Sequence, residues 1–146
     1  MKGHNFIFQP GIWEGEGSIQ FSMAEDLLPF KVKWTVLSKD DQKIYLIQNI
    51  DIEGFSEKSR NHFCLTEITE STFSILLENG VVGQVGGKGV IDETNIAWEF
   101  RKSSQGFEGY ETYERLADGS YRMRAEYMAQ EGFFTSIHAT LKLSNH

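Results

Sequence analysis

One cysteine, Cys64, and two prolines, Pro10 and Pro29, are all that this 146-residue chain holds of either type. A lone cysteine excludes an intramolecular disulfide and suits a reducing compartment, so the chain is read as cytoplasmic. His62 lies two residues from Cys64 on the same face of a strand, about 7 Å away from the strand rise alone. Cys64 is therefore expected to be a buried, inert thiol. Basic runs are also missing: the densest cluster is Arg122-x-Arg124, and the net charge is −7. That balance argues against nucleic acid or an anionic membrane as the main partner. No apolar stretch is long enough to span a bilayer, and the apolar run near Phe6 and Phe8 is too short for a secretory leader. The four histidines, His4, His62, His138 and His146, are scattered, and none pairs at metal-ligand spacing. There is no Gly-x-Ser-x-Gly nucleophile elbow. Gly87-Lys88-Gly89 lacks the spacing of a phosphate loop, and no helix follows it. These absences leave no expected metal and no catalytic group, and they favour a binding protein over an enzyme.

What the chain does hold is apolar material in a regular pattern. Hydrophobic residues make up 40% of it, eleven residues are Phe, and fourteen glycines are spread along it. That supply suits a single domain over 1–146, with a core of its own and many short strands and turns. Trp13, Gly15, Gly17, Ile19 and Phe21 share one parity, opposite Glu14, Glu16, Ser18, Gln20 and Ser22. That is period-2 patterning with one apolar face. Glycines on such a face signal a bend or the close approach of another backbone. The alternation recurs in nine more segments: 30–37, 43–53, 60–69, 72–78, 81–91, 96–101, 106–116, 121–129 and 133–143. Short turns join most of them, with Glu78-Asn79-Gly80 and Asp118-Gly119 as hairpin signals. Ala24 to Leu28 is expected to form a helical turn ended by Pro29, a candidate lid. No long amphipathic helix interrupts the series, and parallel crossovers have no room. The fold expected is all-β: a single antiparallel up-and-down barrel of about ten strands, which removes open sheet edges. Phe6 and Phe8 are expected to cap one end.

A barrel of this kind invites a ligand. Aromatic-rich faces carrying a few polar groups fit a small hydrophobic molecule held without chemistry. Trp34, Gln48, Trp98, Glu111, Tyr113, Arg115 and Tyr127 are expected to line the cavity. Gln48 stands out as a polar residue among aliphatics. Glu111 shares a face with Phe107, Gly109, Tyr113 and Arg115, and an interior Glu111–Arg115 network is expected, since a buried charge needs a partner. The sequence leaves the oligomeric state open, a homodimer included.

Two stretches carry a resemblance. Gly11-Ile12-Trp13-Glu14-Gly15-Glu16-Gly17, a Gly-x-Trp-x-Gly-x-Gly pattern opening an all-β chain, resembles the calycin superfamily of lipocalins and fatty-acid-binding proteins. Within it, the pattern is most similar to nitrobindin-like barrels. Asp118-Gly119-x-Tyr121, Met123 and Ser136-Ile137-His138-Ala139-Thr140-Leu141 are similar to the last hairpin of that family. The resemblance implies a roughly ten-stranded barrel that holds heme b through a histidine near the end of the last strand and acts on nitric oxide or peroxynitrite. The family pattern His-Leu-x-Ala-x-Leu, aligned on Ala139 and Leu141, puts Ser136 at the ligand position and His138 two residues later. Alternation alone puts His138 with Ser136, Thr140 and Lys142 on the wet face. The calycin resemblance also leaves room for a lyase or isomerase that handles tetrapyrroles on the same barrel.

Overall fold

Alternation of side chains across a pleated strand decides this architecture, because each strand has one face apolar enough to bury. The computed structural model describes residues 2–22, 26–40, 42–56, 58–101, 107–128 and 134–144. Ten strands form: β1 (Gly11–Phe21), β2 (Leu28–Lys39), β3 (Ile44–Ile52), β4 (Ser59–Thr66), β5 (Thr72–Asn79), β6 (Gly83–Ile91), β7 (Asn95–Phe100), β8 (Glu108–Arg115), β9 (Tyr121–Met128) and β10 (Phe134–Leu143). Each pairs antiparallel with the next, and β10 pairs with β1, so the sheet closes into an up-and-down barrel. The boundaries differ from expectation by at most three residues. A register shift between Val36 and Ser38 lengthens β2, and β4 stops at Thr66 because Glu67 takes a left-handed φ of 51°. Of the helical turn and lid expected at Ala24–Leu28, residues 24 and 25 lie outside the described residues, while Asp26 and Leu27 are not helical and Leu28 opens β2, extended ahead of Pro29. The loop expected at 102–105 and the turn at 130–132 also lie outside them. Among the described residues no helix is long and apolar enough to cross a membrane.

Gly15 and Gly17 sit where β1 presses against β10. A Cβ on Gly17 would overlap the carbonyl oxygen of His138 and lie 2.6 Å from Ala139 Cα. The glycines thus permit the close backbone approach that their place on an apolar face signals.

The two ends of the barrel are built differently. At one end Phe6, Ile7 and Phe8 fold back inside and are buried. Phe6 packs edge-on to Trp13 at 5.4 Å and lies 4.8 Å from Tyr113 and 5.2 Å from Tyr121 between ring centroids. Polar groups pin this plug. Buried His4 donates through Nε2 to the carbonyl of Asp92 at 2.7 Å, which leaves Nδ1 to accept from the Tyr121 hydroxyl at 2.5 Å. Burial lowers the His4 pKa, in keeping with that neutral tautomer. Arg115 donates to the Gly3 carbonyl at 2.9 Å and also to the carbonyl of Glu93. Ile7 takes a left-handed φ of 60°, a strain of about 1–3 kcal/mol for a β-branched residue that the burial of its two phenylalanine neighbours offsets. Above the plug lies an aromatic layer in which Trp34 and Trp98 meet edge-on at 6.0 Å and Trp98 stacks on Tyr113 at 5.1 Å. The other end is hollow.

Candidate functional site

The hollow end holds a cavity of about 360 Å³. Its apolar wall comes from Ile19, Ile50, Phe63, Leu77, Met123 and Ile137, with Phe21 and Phe55 stacked at 5.9 Å and Phe107 stacked on Tyr127 at 5.3 Å. Besides Ser59 of β4 and Thr135 of β10, polar groups gather at two places, on β3–β5 and on β8–β9.

The first is a chain of amides. Asn79 Oδ1 accepts from the backbone N–H groups of Val81 and Val82, at 2.9 and 2.8 Å, as it shapes the β5–β6 turn. That occupies its acceptor, so its Nδ2 donates onward to Asn61 Oδ1 at 2.9 Å, and Asn61 Nδ2 donates to Gln48 Oε1 at 2.8 Å. The turn therefore fixes the orientation of all three amides. The relay ends at Gln48, 2% exposed, whose Nε2 has no hydrogen-bond partner among the described residues.

The second is Glu111, 1% exposed on the inner face of β8. Tyr113, two residues on along the same face, donates its hydroxyl to Oε1 at 2.5 Å, and Tyr127 of β9 donates to Oε2. Gly109 makes this possible. It faces Tyr127 across the β8–β9 ladder, and a Cβ there would overlap the Tyr127 ring and lie 2.5 Å from the Glu126 carbonyl oxygen. The missing side chain lets Tyr127 lie over β8 with its hydroxyl on the carboxyl group. Burial pushes the Glu111 pKa up, and the donors Tyr113, Tyr127 and Trp98 pull it down by less. Burial, and then the Glu111 charge, hold both tyrosines well above their usual range, so they remain donors. The Trp98 N–H acts on Glu111 short of full hydrogen-bond geometry. Trp34 Nε1 and Trp98 Nε1 are both buried without a hydrogen-bond partner.

The structure divides the seven residues expected to line the cavity. Gln48, Glu111 and Tyr127 do so. Trp34, Trp98 and Tyr113 lie one layer deeper and are at most 2% exposed: Trp34 is the β2 neighbour of Gln48, and Trp98 the β7 neighbour of Glu111. Arg115 shares the parity of Glu111 but sits two pleats farther along β8, about 13 Å away from strand rise. It belongs to the closed end, so no Glu111–Arg115 network forms and the tyrosines partner Glu111 instead. His138 is exposed on the outer face of β10, because alternation turns it away from Ile137 and Ala139. It cannot ligate a group in the cavity, and no histidine lines the cavity among the described residues. The cavity therefore does not fit a heme held by that histidine. Cys64 is half-buried on the outer face of β4, flanked by Tyr45 and Leu76, rather than fully buried. Burial raises its thiol pKa, against a smaller opposing effect of Lys43. Among the described residues no three His, Cys, Asp or Glu side chains gather as a metal site.

Asn61 and Asn79 are site residues that the sequence expectation leaves out. Each is a polar residue at an inward position, Asn61 near the start of β4 and Asn79 at the end of antiparallel β5, and that is the signal that singles out Gln48. Phe21, Phe55 and Phe107 at the mouth carry no such mark, since an aromatic at a strand end reads as core.

No family model matches the chain, and no curated protein matches it. Among solved structures it is similar to the S-type phycobiliprotein lyase CPES from Guillardia theta, with a TM-score of 0.68 over 94% of this chain and 89% of that one, at 11% identity. At that identity the likeness shows the fold alone, a closed ten-strand antiparallel barrel of calycin-like form, and it does not single out the nitrobindin-like barrels.

Proposed function

We propose that this barrel binds a small hydrophobic ligand in its open-ended cavity and acts as a carrier or binder rather than as a catalyst. The observation that supports this reading is the cavity itself: about 360 Å³, walled by aliphatic and aromatic side chains, with two clusters of polar side chains among them. Its volume equals about twelve water volumes at ~30 Å³ each, which suits a ligand of one to three rings or a short chain. Titration with the neutral dye Nile red tests it. A saturable one-to-one rise in emission is expected, lost when Ile50→Trp fills the cavity in a variant that still melts cooperatively. A wild-type response that never saturates would sink the reading.

A second reading is a tetrapyrrole handled on the same barrel. The stacked pairs Phe21–Phe55 and Phe107–Tyr127 at the mouth favour it, since each presents a flat π-surface to a conjugated ring, and a lyase stands among the structural neighbours. A whole tetrapyrrole exceeds the cavity and would project through the mouth. Biliverdin titration followed by visible absorbance tests it, with a saturable spectral shift expected and none fatal.

A further inference from the structure

The two polar features of the cavity stand on opposite walls. Gln48 is on β3 and Glu111 on β8. In the order β1-β10-β9-β8-β7-β6-β5-β4-β3-β2 these strands are five steps apart in either direction. The walls also have opposite hydrogen-bonding sense. On β3 the amide relay from Asn79 through Asn61 donates to the Gln48 carbonyl oxygen, fixes the orientation of that amide and leaves its NH₂ group as a donor with no partner among the described residues. On β8 each Glu111 oxygen accepts one tyrosine hydroxyl, and a carboxylate oxygen has capacity for a second donor. Both side chains line the cavity, and no Lys, Arg or His does so among the described residues. An apolar carboxylate would therefore give up its hydration beside an acidic side chain without meeting a cation, an uncompensated cost.

We propose that the cavity selects a flat apolar molecule, neutral or cationic, with an N–H donor on one edge for Glu111 and a carbonyl acceptor on the opposite edge for Gln48, and that it rejects fatty acids and other apolar carboxylates. This rests on the reading of the cavity as a ligand site. It adds a polarity that apolar burial alone would not give.

Acridone is the probe. It has an N–H and a carbonyl on opposite edges of a three-ring plane, and it fluoresces. Wild-type protein is titrated with acridone, with N-methylacridone, which lacks the donor, with anthracene, which lacks both polar groups, and with dodecanoate. Acridone is expected to saturate at one per chain and to bind at least about 10-fold more tightly than each of the other three, the discrimination of one lost buried hydrogen bond. Gln48→Leu is expected to cost acridone about 10-fold and leave anthracene unchanged. The wild-type series decides the matter even if that variant misfolds. If anthracene binds and acridone binds no better, the polarity is overturned while the ligand site stands. Dodecanoate binding as tightly as acridone also overturns it. If none of the four binds, the polarity is overturned, and the ligand site falls with it only where Nile red also fails to saturate.

Discussion

Tyr113 donates its hydroxyl to Glu111 at 2.5 Å from two residues away on the inner face of β8. With Tyr127 on the other oxygen, this gives an acidic side chain two donors but no countercharge. Burial remains the largest influence and holds the folded-state pKa above that of the unfolded chain. The sign follows. Below the unfolded carboxylate pKa, near 4.3, both states are protonated and the raised pKa gives its full contribution to stability. As pH rises through the folded pKa that contribution is lost, by about 1.4 kcal/mol per pH unit within the window. Urea melts of wild type and Glu111→Gln at a series of pH values check this. The stability of wild type minus that of the variant is expected to fall as pH rises. A difference that grows with pH would contradict the assignment.

The β1–β10 seam yields a contrast between two glycines. Gly17→Ala puts a methyl group into the backbone of β10, where neither strand can give without breaking ladder bonds. A loss of about 3 kcal/mol is expected. Gly86→Ala places the same methyl where nothing lies within 4 Å and is expected to stay within about 0.5 kcal/mol of wild type. Equal effects in thermal melts would show that β1 does not approach β10 as closely as described.

At the closed end the plug is structural. Phe6 is fully buried against Trp13, Trp34, Tyr113 and Tyr121. Phe6→Ala should cost about 3–5 kcal/mol and leave probe affinity at the cavity unchanged at temperatures where the barrel stays folded. A variant of wild-type stability would mean that residues 2–10 do not fill the barrel end.

Alternation made the barrel legible, because period 2 is a local property and every strand shows it. It also sorted side chains inward and outward correctly at Glu111, Gln48 and His138. It could not say how far along the barrel axis a residue lies. That is why the pattern groups Arg115 with Glu111, and why it puts Trp34, Trp98 and Tyr113 at the cavity wall instead of beneath it: depth depends on strand stagger around the closed sheet, a long-range quantity. The amide relay was equally out of reach, since its three members are 13 and 18 residues apart in sequence and meet only through the β3–β4 and β4–β5 registers.

His138 supplies the last prediction. The resemblance at β10 points to a histidine that binds heme, and alternation points the same residue at solvent. The structure agrees with alternation: His138 is exposed, across from Ser18 on β1 and Arg124 on β9. Substituting it with alanine removes an outer side chain with no part in the cavity. His138→Ala is expected to change stability by no more than about 0.5 kcal/mol and to leave Nile red, acridone and hemin titrations superimposable on wild type. A Soret band present in wild type and lost in His138→Ala would show that heme binds on the outer face of the barrel, with the cavity playing no part in it.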